Sequence, residues 1–193
     1  ATLLQQVLDE LTLFGVDTEL VSLPDYNLKW CTSCNHCMRA TECSIQDDDM
    51  GILGKKMLDA DIIIMGSPTY WANVSAMMKN FMDRTRYMHL AKHLLDGKIG
   101  AAVTQAGMRN GGQEACIASM ESFMKAQGLI IADLRDPEQP VAFGNVTGSL
   151  QKGYDEKGTV WFKNVSEDML AIEACKHLAR NIVRRMRDMG KMV

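Results

Sequence analysis

The sequence has no long apolar run: stretches such as Ile62 to Met65 are typical, far short of the roughly 20 residues that cross a bilayer. No basic segment followed by an apolar one opens it either, and together these absences predict a cytoplasmic protein without membrane partners. A positive excess is also lacking, since 21 Lys and Arg stand against 24 Asp and Glu for a net charge of -3. Nucleic acid and anionic membrane surfaces reward a broad positive field and are not expected partners. No internal repeat, low-complexity tract, obvious nucleophile or paired catalytic carboxylates stand out. The chemistry is therefore expected to come from a bound group, and the partner to be small.

What is present fits one domain over residues 1–193, long enough to bury a core without disulfides. Leu4, Val7, Leu8 and Leu11 recur at helical spacing and Gly15 follows where a helix stops, so the chain opens inside an amphipathic helix. Thr18 to Leu23 reads as a short strand, residues 29–49 as a cysteine-rich loop, and Ile52 to Met57 as a helix. Asp61 to Gly66 and Lys98 to Thr104 read as strands buried on both faces, and Leu129 to Leu134 as the last strand. Between and after them lie a helix from about Ser75, with Met77, Met78, Phe81 and Met82 inward, another around Cys116 to Met124, and a closing helix through Ala171 to Met186. This alternation predicts an α/β fold, a three-layer doubly wound parallel sheet with right-handed crossovers. Residues 135–165, with Pro137 and Pro140, break the rhythm and are expected to be irregular, either functional or packed on a neighbouring subunit.

Cys31, Cys34, Cys37 and Cys43 crowd into one loop. A short loop with this spacing can wrap three corners of a cubane cluster while a fourth ligand returns from the side. Structural zinc sites usually join two separated pairs, so the spacing favours a 4Fe-4S cluster over zinc. Free or disulfide-linked thiols are the plainer alternative. His36 is read as a bystander, and Cys116 and Cys175, on apolar helical faces, as small buried hydrophobes. Asp83 and Arg84 are read as an ion pair or a subunit contact.

Gly66 to Ser75 lies where a buried strand ends and a helix starts, the crevice where open α/β sheets bind ligands. Ser67, Pro68 and Thr69 form its turn, Tyr70 and Trp71 offer flat apolar surface for an isoalloxazine ring, and amides near Asn73 and Val74 approach a helix N-terminus. A loop that merely caps a helix with Ser75 reads equally well from this stretch alone. The second wall is Thr104 to Gly112, with Gln105 and with Gly107, Gly111 and Gly112 permitting close backbone approach, although glycines also serve ordinary turns.

The four-cysteine loop leading into Asp47 to Met50, the Gly66 to Tyr70 turn, the pattern Val74 to Arg84 and the loop ending at Gly112 together resemble the NAD(P)H-dependent FMN reductase superfamily, and within it the iron-sulfur flavoproteins. The resemblance implies a flavodoxin-like fold with FMN between Ser67–Val74 and Thr104–Gly112. It also implies a homodimer or homotetramer whose neighbour covers the flavin, and a cluster close enough to exchange single electrons with it. Relatives begin with a strand and a phosphate loop, and Ala1 already lies inside the helix that follows, so an N-terminal extension is expected. The function so implied is FMN-dependent electron transfer, with NAD(P)H or a small carrier such as ferredoxin as partner. A cluster-free NAD(P)H:FMN or quinone reductase is the alternative, and a non-catalytic zinc- or flavin-binding interaction protein is the alternative of another class.

Overall fold

Leu3, Val7 and Leu11 fall one turn apart, and a helix over Thr2–Leu13 (α1) buries all three, each burial stabilising by about 1.5–3 kcal/mol. This computed structural model describes residues 1–90, 93–135 and 144–191. After α1 come Met50–Asp59 (α2), Ile62–Pro68 (β1), Ala76–Arg84 (α3), Arg86–Leu90 (α4), Ile99–Ala106 (β2), Gln113–Ala126 (α5) and Ile130–Ile131 (β3). Val146–Ser149 (β4), Gln151–Asp155 (β5), Gly158–Trp161 (β6) and Met169–Asp188 (α6) complete the order.

The sheet is parallel and grows from β2, which is buried along nearly its whole length as its apolar run predicts. β1 lies against one edge, from Ile62 opposite Ile99 to Pro68 opposite Gln105. The other edge is shared end to end: β3 pairs with Ile99 and Gly100, and β4 with Val103 to Ala106. Alternation along β2 sends Ile99, Ala101 and Val103 toward α1 and α6, and Ala102 toward the cluster formed by α2, α3 and α5. A Cβ at Gly100 would lie 2.9 Å from Met124 Sδ of α5, so a larger residue there would displace the Met124 and Leu129 side chains packed on the strand. Helices on both faces of a parallel sheet make the fold flavodoxin-like, three layers deep. No helix among the described residues is long and apolar enough to cross a membrane.

Four expectations are corrected. Thr18 to Leu23 joins no ladder; a short 3-10 turn follows at Leu23–Asp25, and the edge of β1 away from β2 carries no strand among the described residues. The last strand is only Ile130–Ile131, extended by the Ala132 amide donating to Gly100 O (2.8 Å). The segment 135–165 is not irregular throughout, since β4 completes the sheet edge and β5 and β6 form an antiparallel hairpin. Residues 136–143, with Pro137 and Pro140, lie outside the described residues. The helix from Ser75 ends at Thr85, and Met77, expected inward, is exposed.

Candidate functional site

The carboxyl ends of β1, β2 and β4 lie side by side, with Pro68 opposite Gln105 and Ala106 opposite Ser149. Buried hydroxyls knit the two predicted walls together. Ser67 Oγ accepts from the Ser75 amide (2.9 Å) and donates to Pro68 O (2.9 Å). Thr104 Oγ1 lies 2.7 Å from Ser67 O and 2.8 Å from Thr69 Oγ1, while the Thr69 amide donates to Gln105 O (2.8 Å). Ser67, Thr69 and Thr104 thus frame the crevice from below.

Above that frame the chain is strained. Tyr70 and Asn73 exchange two backbone hydrogen bonds (2.9 and 3.0 Å) across Trp71 and Ala72, whose φ angles of 50° and 57° are those of a left-handed turn usually built from glycine or asparagine. Neither residue is either, and such backbone costs about 1–3 kcal/mol per position and collects at ligand sites. Trp71 is 101% exposed and Tyr70 60%, so both rings face outward. Asn73 Oδ1 accepts from the Val74 amide (2.8 Å), and Ser75 caps α3 by accepting from Met78.

The second wall abuts this turn. Gly112, at φ 93°, lies so close that a Cβ there would stand 2.5 Å from Ala72 Cβ. Gly111 packs beside Met108 O and Ala106, and Gly107 O accepts from the Leu150 (3.1 Å) and Gln151 (2.9 Å) amides. The reading of short motifs missed three residues here: Trp161 of β6, which faces Gly107, Arg109, whose Nε donates to Gln151 O (3.1 Å), and Gln113. Buried Gln113 donates to Met108 O (2.8 Å), while its Oε1 has no partner among the described residues. Only the β5–β6 hairpin could have revealed the first two. Leu3 packs under Gly148 and Leu4 under Gly66. Backbone donors, small residues and flat rings make this a fitting flavin cradle.

The cysteines lie elsewhere. Cys31, Cys34, Cys37 and Cys43 all line one open cavity together with Asp83, Arg84, Arg86 and Tyr87. No residue of the two crevice loops lines it. Its floor is the carboxyl end of α3, whereas the crevice sits at the amino end near Ser75; nine helical steps separate them by roughly 14 Å. The thiols are therefore not directly beside the crevice of the same chain. Among the described residues, no three His, Cys, Asp or Glu side chains converge tightly enough to hold a metal ion. The four thiols share that cavity with Asp83, Arg84 and Arg86; thiolate sulfur is the donor type that iron-sulfur clusters use. Cys34, whose Sγ lies 3.0 Å from Ser44 Oγ, has its pKa lowered by that hydroxyl and by hydrogen bonding to the backbone at His36.

The sequence profile of the NADPH-dependent FMN reductases matches residues 1–135. The chain belongs to this family. In this FMN reductase family setting it is a flavin-dependent oxidoreductase, and FMN is its flavin. An iron-sulfur flavoprotein of Archaeoglobus fulgidus is 34% identical over 181 residues, covering 94% of this chain and 86% of that protein. One from Methanocaldococcus jannaschii is 40% identical over 135 residues, 70% of this chain and 69% of its own. Among solved structures, RosB with bound 8-demethyl-8-formylriboflavin-5'-phosphate superposes with a TM-score of 0.67 at 12% identity, covering 96% of this chain and 74% of that one. A flavodoxin from the domain Archaea does so at 0.53 and 18% identity, covering 96% and 88%. Both structural likenesses show the flavodoxin-like fold.

Proposed function

We propose that this FMN reductase family member is a cytoplasmic electron-transfer flavoprotein that relays electrons between FMN and a 4Fe-4S cluster on Cys31, Cys34, Cys37 and Cys43. The observation that carries the reading is that all four thiols, separated in sequence, line one cavity together with Arg84 and Arg86. The relatives named iron-sulfur flavoproteins support it. The bound groups supply two-electron and one-electron chemistry respectively. The protein's part is placement. Ser67, Thr69 and Thr104 fix the two crevice loops, Tyr70 and Trp71 present apolar faces to the ring, and Gly107, Gly111 and Gly112 let backbone approach it. α3 spans the gap between the two sites, so electrons passing between groups held there would have to travel singly through packed side chains, a path closed to a hydride. NAD(P)H or a ferredoxin-like carrier is the partner, and a homodimer or homotetramer covers the exposed rings.

Protein purified without oxygen is expected to hold FMN together with iron and acid-labile sulfide in equal amounts, and replacing the four loop cysteines by serine is expected to abolish both inorganic components while sparing FMN. Absence of iron and sulfide from the parent protein would sink the relay. The length of α3 between the two sites favours a second reading, a cluster-free reductase working by hydride transfer. Steady NAD(P)H oxidation without any one-electron acceptor, unaffected by the cysteine replacements, is the outcome that selects it.

A further inference from the structure

Lys29 and Asp48 lie at or beside the two ends of the cysteine loop, residues 29–49, and both meet one buried cation. Arg84 and Asp48 have side chains only 1% and 0% exposed. Arg84 Nη1 donates to Lys29 O (2.7 Å) and to Asp48 Oδ2, and Nη2 donates to Asp48 Oδ1 (3.1 Å) and Ile45 O (3.2 Å). Asp48 accepts in turn from the Lys29 (2.9 Å) and Met50 (3.1 Å) amides. One turn back on α3, Asn80 Nδ2 donates to Leu28 O (3.4 Å) and Lys29 O (3.3 Å). The guanidinium also lines the cavity of the four cysteines, and its buried Nε has no hydrogen-bond acceptor among the described residues.

A structural ion pair is the plain explanation, and it leaves two things unexplained. Buried ion pairs are seldom more stabilising than apolar side chains of the same volume, so stability alone does not account for this one. The cavity also sits past the carboxyl end of α3, whose negative pole disfavours thiolates unless a fixed cation offsets it. Arg84 stands at that point.

We propose that Arg84 is a positioning residue for the cysteine pocket: its fork closes both ends of the loop, and its charge, balanced by Asp48, sets the electrostatic poise of whatever the thiols bind. The inference rests on the cluster reading above for its redox half only. Partners outside a ligand shell orient the ligands and tune the potential of the group they hold.

The test compares Arg84→Gln, Arg84→Lys and Asp48→Asn in the full chain, reconstituted anaerobically with ferrous iron and sulfide, with FMN content reporting an intact sheet. Arg84→Gln is expected to bind iron about ten- to a hundredfold less tightly against a chelator and to shift the cluster potential negative, because the added electron loses a nearby positive charge. Arg84→Lys keeps the parent potential yet loses iron, since an ammonium cannot form the fork. Asp48→Asn leaves the guanidinium uncompensated and shifts the potential positive. A merely structural role moves iron retention in all three without the opposed potential shifts, and that pattern, or parent-like values in Arg84→Gln, overturns the proposal. Should Arg84→Gln fail to bind FMN, the sign of the Asp48→Asn shift decides. If the parent binds no iron, the cluster reading fails by itself and alkylation decides: the half-buried Cys37 and Cys43 react about tenfold faster in Arg84→Lys if the clamp exists, and an unchanged rate refutes it.

Discussion

Gly112 illustrates how little freedom single residues have where the two crevice loops touch. Its φ of 93° and the 2.5 Å that a Cβ would leave to Ala72 Cβ mean that Gly112→Ala meets both backbone strain and a clash with a turn that is itself strained. The expected loss is about 1–3 kcal/mol of unfolding free energy in urea, with weakened FMN binding by fluorescence titration. Gly15→Ala, at φ 77° with open space around it, isolates the backbone part; its loss is expected near 1 kcal/mol with FMN binding unchanged. The cysteines divide as sharply. Burial pushes the Cys175 thiol up to about 12, whereas Ser44 lowers that of Cys34. In metal-free protein, mass spectrometry after brief alkylation at pH 8 is expected to find Cys34 modified first and Cys175 untouched until unfolding.

At the scale of elements, the docking of the cysteine loop depends on pH through Asp48. Burial works to raise this carboxyl's pKa, but Arg84 and the Met50 and Lys29 amides outweigh it and hold the group below the usual carboxylate range. A depressed folded-state value contributes stability that is present above the unfolded value of about 3.9 and lost as pH falls through the folded one. The thermal midpoint of the parent is therefore expected to drop more steeply below about pH 4 than that of Asp48→Asn, and parallel curves would remove Asp48 from the acid limb. This clamp was not legible beforehand, because sequence proximity paired Arg84 with Asp83, whereas Asp83 in fact pairs with Lys79 one turn away. Strong periodic signals did carry through: β1, β2, α5 and α6 lie where apolar spacing put them. β4 did not announce itself, since Val146–Ser149 is short and half polar and is ordered by pairing with β2 and by Asp168 accepting from the Ser149 amide (3.0 Å). Nor does the spacing of the four cysteines say at which end of α3 they settle; that depends on tertiary contacts at Asn80 and Arg84.

For the whole molecule, the decisive fact is that crevice and cysteine pocket occupy opposite ends of one helix. Sites with no shared partners that lie beyond about 7–10 Å perturb stability independently, within about 0.5 kcal/mol. Gly112→Ala and Asp48→Asn are thus expected to add in urea unfolding. Electron flow obeys a different rule. If the two ends work in series, the delays at the two steps add, so a variant slow at both ends stays close to the worse single variant and its loss falls well short of the product of the two single losses. Stopped-flow reduction of such an acceptor by the two single variants and the double variant separates these cases. Additive stability together with delays that add in transfer places both sites on one route, whereas acceptor reduction slowed by only one of the two single variants would mean that the cysteine end and the flavin end serve separate reactions.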